Sequence, residues 1–198
     1  GYQFTTTGNN YQYPRIVTMT PRPPATVDGT TMDVPTEVHL EIGFSEEMDT
    51  VEVEKSTLRL TQYEPEHYQT TVKSFWDIHL ATAQLITGGY STDNGNIELS
   101  WHNTPRGDNT LLKVESQGGA FSLNPNTTYR VQIVDNQAKA ADVVTSGSTV
   151  VGLPLIFGGP GAIDLLNGYK FKTASSSTLD YPEVLWVTPT PDATNVPT

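Results

Sequence analysis

Hydrophobic and polar positions alternate with a period of two through most of this chain. From Glu37 to Phe44, the apolar residues Val38, Leu40, Ile42 and Phe44 share one side, and Glu37, His39 and Glu41 share the other. That pattern predicts a half-buried antiparallel strand. The same alternation returns at Leu58 and Leu60, at Trp76, Ile78 and Leu80, at Ile97, Leu99 and Trp101, and at Tyr129, Val131 and Ile133. Turn-forming residues separate these runs: Asp28-Gly29, Asn94-Gly95, Gly107-Asp108-Asn109, Gly118-Gly119 and Asn124-Pro125-Asn126. Asn94-Gly95 suits the positive φ angles of a two-residue hairpin turn. Helical periodicity is weak, and His79 to Ile86 is the single stretch that reads as a short helix. Short strands at this spacing predict an all-β, antiparallel sandwich. Two segments exceed what a minimal sandwich needs: Tyr63 to Tyr90, and the glycine-rich stretch from Ala138 to Ile163, which reads as a loop excursion or an added hairpin.

Comparing the chain with itself reveals a repeat at its ends. Gly1-Tyr2-Gln3-Phe4-Thr5-Thr6 is answered by Gly168-Tyr169-Lys170-Phe171-Lys172-Thr173, an offset of 167 residues. Tyr13-Pro14, Ile16-Val17 and Thr20-Pro21 are answered by Tyr181-Pro182, Val184-Leu185 and Thr188-Pro189, offset by 168. Ala25-Thr26 and Val34-Pro35-Thr36 then match Ala193-Thr194 and Val196-Pro197-Thr198 across one insertion. Three matches in one order imply a tandem array. On this basis residues 1–7 are the last strand of a preceding repeat, 8–178 one whole repeat, and 179–198 the first strand of the following one.

Charge and composition narrow the partners. The chain has 11 Lys and Arg against 22 Asp and Glu, a net charge of −11. Such a polyanion is repelled by nucleic-acid phosphates and by anionic lipid. With no cysteine, disulfides, thiolate metal sites and a cysteine nucleophile are all absent. No run approaches the roughly 18 apolar residues of a membrane span, and no charged-then-apolar leader opens the segment. A secreted parent would carry its signal elsewhere.

Several motifs, taken in order, resemble the bacterial Ig-like domains of S-layer and other cell-surface proteins. Thr20-Pro21, Val34-Pro35-Thr36 and Phe44-Ser45-Glu46-Glu47-Met48-Asp49 stand as that family's opening elements do. Thr57-Leu58-Arg59-Leu60, Leu123-Asn124-Pro125-Asn126-Thr127-Thr128-Tyr129 and the closing Tyr169-Lys170-Phe171-Lys172-Thr173 follow. Family members are nearer 100 residues long, so 63–90 and 138–163 read as insertions. The resemblance implies an extracellular structural module in which Glu46, Glu47 and Asp49 belong to a turn. Phe44 then closes a buried strand, Met48 plugs the end of the sandwich, and Ser45 and Asp49 bond nearby backbone amides. Tyr129 becomes a tyrosine corner, its hydroxyl tying down the preceding loop.

Candidate chemistry is sparse, and the expectation is no enzyme and no catalytic residue. Glu46, Glu47 and Asp49 are paired carboxylates of the kind acid–base catalysis uses, yet the resemblance gives them a structural place. His39, His67, His79 and His102 lack metal-ligand spacing, and Gly158-Gly159-Pro160-Gly161 lacks the lysine and the strand–loop–helix context of a phosphate cradle. Trp76, Trp101 and Trp186 could form a sugar-stacking platform, but the first two share faces with core residues. No cofactor is expected. Asp93, Asn94 and Asn96, and separately Asp135 with Asp142, are weak candidates for Ca²⁺. Asn126-Thr127-Thr128 fits an N-glycosylation sequon. The sequence therefore points to a structural repeat of a large secreted or cell-surface protein (an S-layer, filament or adhesin spacer) acting through head-to-tail contacts with neighbouring repeats or subunits. The alternative is an accessory module binding a cell-surface glycan or another partner.

Overall fold

In the computed structural model, the residues described are 13–25, 29–63, 72–89, 95–117, 119–145, 148–158 and 161–175. Alternation becomes strand wherever one set of side chains can be buried. The strands are β1 (Ile16–Thr20), β2 (Thr30–Val34), β3 (Glu37–Val38), β4 (Leu40–Phe44), β5 (Thr57–Tyr63), β6 (Val72–His79) and β7 (Gln84–Gly89). They continue with β8 (Gly95–Thr104), β9 (Gly107–Ser116), β10 (Phe121–Ser122), β11 (Thr128–Asp135), β12 (Val143–Thr145), β13 (Ser148–Val150) and β14 (Tyr169–Thr173). Helix among the described residues is limited to α1 (Thr50–Glu54) and a 3-10 turn at Leu80–Thr82.

Ten strands form one sheet in the order β1-β4-β9-β8-β7-β6-β5-β11-β14-β2, curled so that its halves face each other. The halves are continuous because β7 meets β8 at Gln84↔Asn96 and Leu85↔Gly95. Pairings between these neighbours are antiparallel except the last, where β14 and β2 run parallel. Val38, Leu40, Ile42, Phe44, Leu58, Leu60, Val131 and Ile133 are all buried in one core, each contributing up to roughly 1.5–3 kcal/mol. Ile42 and Leu112 from one half line the same small cavity of about 10 Å³ as Leu58 and Ile133 from the other. The halves are thus packed, with no room for a ligand between them.

Several local expectations need correction. The predicted strand 37–44 is broken at His39, so that Val38 pairs with Phe121 while Leu40 pairs with Val114. Gly95 lies in β8, where it pairs with Leu85 and Asn96 with Gln84, while Asn94 of the expected Asn94-Gly95 turn lies outside the described residues. The β8–β9 turn comes at Pro105-Arg106, since Thr104 pairs with Gly107. Asp108 and Asn109 instead fall where the register shifts, and Asn109 takes φ 49°. Of the helix suggested for 79–86, only the 3-10 turn exists. β7 begins at Gln84 because Ala83, at φ 50°, reverses the chain onto β6. The segment 63–90 supplies β6 and β7 to the middle of the sheet. The segment 138–163 carries a hairpin, β12 with β13.

Candidate functional site

The Phe44–Asp49 motif gathers at one pole of the sheet. Phe44 is buried and stacks on Trp101 at 6.0 Å between ring centroids. The Ser45 hydroxyl accepts a hydrogen bond from the Arg15 amide at 3.0 Å, linking the turn to the entry of β1. Met48 is 1% exposed and bridges to Ala140. Asp49 caps α1, its carboxylate accepting from the Glu52 amide at 3.2 Å. This helix is short and contributes one buried residue, Val53. Partial burial raises the pKa of Glu46 above the usual carboxylate value, with the positive charge of Arg15 acting the other way. Phe44 and Met48 thus belong to the core, Ser45 to the turn and Asp49 to the helix cap.

Tyr129 stands at the opposite pole. Its ring is fully buried, stacked on Phe171 at 5.7 Å, and its hydroxyl accepts from the Asn124 amide at 2.9 Å. Burial pushes its pKa up to about 12. Asn126 is exposed at this pole, with φ 51°, while Thr127 and Thr128 beside it are buried.

The weaker candidates have local partners where they are described. Asn96 donates from its amide to Gln117 at 3.0 Å, while Asp93 and Asn94 lie outside the described residues. Asp135 accepts from Gln137, and Asp142 accepts from the Gly152 amide at 2.7 Å. Among the described residues, no three His, Asp or Glu side chains form a metal-sized cluster. His39 lies 3.3 Å from Glu41, His79 3.5 Å from the Thr57 hydroxyl, and His102 3.1 Å from the Ser100 hydroxyl. Trp76 and Trp101 are half-buried against the core, and the Trp101 indole donates to Glu54 at 2.9 Å. His67 and Trp186 fall outside the described residues.

One feature was missed by sequence reasoning. The two ends of the sheet, β1 and β2, flank an open groove of about 1110 Å³. Val17, Met19, Val34 and Val38 line it, with Asp33, Glu37 and Glu41 among its polar walls and no Phe, Tyr or Trp. At one end Arg22 offers its carbonyl to the Thr31 hydroxyl at 2.7 Å, and the Tyr169 hydroxyl donates to the Pro21 carbonyl. The prolines of Thr20-Pro21-Arg22-Pro23-Pro24 were the available signal, since proline in a strand region marks an edge.

The repeated residues at the ends acquire a structural meaning here. In the closing strand β14, Tyr169, Phe171 and Thr173 are buried, and these recur as Tyr2, Phe4 and Thr6. The half-exposed Lys170 and Lys172 are the positions that change, to Gln3 and Thr5. Gly168 (φ 68°), where an added Cβ would come within 2.5 Å of the Val131 carbonyl, recurs as Gly1. In β1 and its flanks, Pro14, Ile16, Met19 and Pro21 are buried, and their counterparts Pro182, Val184, Val187 and Pro189 are all apolar.

Entry and exit also lie at opposite poles. Pro14 is bonded to Ile156 beside the 45–49 turn, whereas Ala174 is bonded to Asn126 and Val34. The eight residues of β11 span the interval, which is about 25 Å at roughly 3.3 Å per residue. No family model, curated protein or solved structure matches this chain.

Proposed function

We propose that this chain is an Ig-like sandwich serving as a structural repeat of a large secreted or cell-surface protein, a spacer that acts through head-to-tail contacts with its neighbours. The observation carrying this reading is that the buried Tyr169, Phe171 and Thr173 of β14 recur while its half-exposed Lys170 and Lys172 change, and that the buried Pro14, Ile16, Met19 and Pro21 recur as apolar residues, with the exposed Tyr13, Ala25 and Pro35 recurring as well. Shared turn vocabulary has no reason to respect burial, whereas a second copy of one core does. On this view 1–7 supplies a closing strand to a preceding unit, 179–198 begins the next, and 8–178 is the unit between. Entry at one pole and exit at the other suits a linear string. The S-layer and adhesin setting rests on the motif resemblance, as does the extracellular location.

Asp49 caps a helix and His39 pairs with Glu41, which supports a reading of the protein as one without catalysis. The test is a longer chain carrying two consecutive units, examined by small-angle X-ray scattering. Its maximum dimension should be close to twice that of one unit. Two units folded against each other side by side, with no gain in length, would overturn the head-to-tail reading.

A further inference from the structure

We propose that the β12–β13 hairpin, residues 143–150, is a docking arm by which each unit grips the exit pole of the unit before it. The inference rests on the head-to-tail reading and names, within it, the surface that makes the contact. Three observations lead to it. The first is how the hairpin is built. It is the outer end of a two-stranded ribbon. Leu155 donates to the Ala138 carbonyl and Ala140 to the Leu153 carbonyl, both at 2.9 Å. Further out, Gly152 donates to the Asp142 carboxylate before Val143 pairs with Val150. The root is fixed: Ala138, Ala140 and Leu155 are buried, and the Ala141 amide donates to the Glu47 carbonyl. Gly152 lies so close to the Ala140 carbonyl that an added Cβ would overlap it. Beyond the root the support ends. β12 and β13 form a sheet of their own, outside the ten-stranded one, and among the described elements each makes extensive contact only with the other. A two-stranded hairpin by itself is marginal in water, and open strand edges favour pairing with a neighbour.

The second observation is where the arm stands. Its root adjoins the entry of the chain, since Ile156, next after Leu155, donates to the Pro14 carbonyl. Ala140 and Ala141 are held by Met48 and Glu47, in the turn whose Ser45 binds the Arg15 amide. The preceding unit arrives at this same pole. Its closing strand, Gly1–Thr7 in the repeat, ends at Thr7, the counterpart of Ala174, and Pro14 follows seven residues later. Seven residues fully extended span at most about 25 Å. From Asp142 to Thr145 the arm adds about 10 Å of its own. The exit pole of the preceding unit is therefore tethered within the arm's reach.

The third is chemical. The chain is 17% charged, yet residues 143–163 contain no Asp, Glu, Lys, Arg or His. Val143, Val144, Val150 and Val151 lie in and beside the hairpin, and Val151 is 65% exposed. A solvated loop has no need to exclude charge, whereas the centre of an interface does. This unit's own exit pole shows a matching face. Residues 116–129 likewise carry no charge, and Pro125 and Asn126 are exposed there, as is Pro35 beside the Val34 carbonyl that binds Ala174. Asp33 and Glu37, exposed on either side of Pro35, supply a polar rim. Because arm and exit pole are different surfaces, the contact does not close on itself and propagates along the string.

The experiment compares the full chain with a longer one that also carries the preceding unit, by hydrogen exchange read in a mass spectrometer. The amides of 143–150 should exchange at least tenfold more slowly in the two-unit chain, while those of the core strands β5 and β11 keep their rates. Val144→Lys with Thr149→Lys places two charges across one rung of the hairpin. In the two-unit chain this variant should return 143–150 to the rate of the single unit. In the full chain it should leave the melting temperature within about a degree of wild type, as a solvated tip implies. A variant that lowers that temperature by many degrees would show the tip to be part of the unit's own core and overturn the proposal. Two-unit chains of doubled length whose tip exchanges as fast as in the single unit would sink the arm and leave the head-to-tail reading standing. Units lying side by side would sink both.

Discussion

At the scale of single residues, several buried or half-buried polar atoms secure a loop or turn. Tyr129 is the clearest case. Its hydroxyl is the partner of the Asn124 amide, and removing it leaves a partly buried N–H to find water or go without. Tyr129→Phe should therefore cost about 1–3 kcal/mol, read as a lower urea midpoint with an unchanged m-value. Tyr169 makes a pH prediction. It is 6% exposed, and burial drives its pKa well above the ordinary tyrosine value. The unfolded chain releases this proton near pH 10, whereas the folded chain holds it. The stability due to the buried neutral phenol is thus complete below about pH 10 and falls as pH rises beyond it. Each such tyrosine contributes a slope of roughly 1.4 kcal/mol per pH unit. Urea titrations between pH 9 and 11 should show a shallower alkaline decline in Tyr169→Phe than in wild type.

At the scale of elements, β14 shows how the repeat constrains sequence. The strand is entered through Gly168 at φ 68°, against the Val131 carbonyl and the Gln132 side chain. A side chain there meets both an unfavourable backbone region and a backbone atom that cannot move away. Gly168→Ala should destabilise the fold by about 2 kcal/mol or more, measured as a drop in melting temperature by calorimetry. Substitution of the outward Lys172 to Thr, the residue found at the matching Thr5, should change stability by less than about 0.5 kcal/mol. Equal effects at the two positions would remove the structural basis for the repeat.

At the scale of the whole molecule, the ten strands share one core, and the described residues hold that core together without any cluster of metal ligands. Adding a strong chelator should leave the melting temperature within about one degree, because a core of this kind draws its stability from apolar burial. A large drop restored by Ca²⁺ and by no other divalent ion would instead assign the fold a structural ion. Assembly belongs to this scale as well. Opposite poles for entry and exit give the molecule a direction.

Period-two alternation by itself determined the buried set, because a pleated strand offers its side chains two directions and water rejects one set. Val38, Leu40, Ile42, Phe44, Leu58, Leu60, Val131 and Ile133 carry that information locally, and all are buried. Which strand pairs with which is a different matter, as each edge accepts many partners and the choice depends on the rest of the fold. The break at His39, the crossing of β8 from one half of the sheet to the other and the parallel pairing of β14 with β2 were decided there. The pairing of Gly95 and Asn96 with β7 was likewise decided by the sheet. The five-residue α1 was hidden because its burial rests on Val53 alone, too little for a helical period to register. The repeat at the ends was visible in the sequence, but its physical reason was not. Only the folded core shows that in β14 the recurring Tyr169, Phe171 and Thr173 are buried while the varying Lys170 and Lys172 are half-exposed. The groove depended on tertiary structure entirely, since it exists only when two strands distant in the sheet order are curled into each other's company.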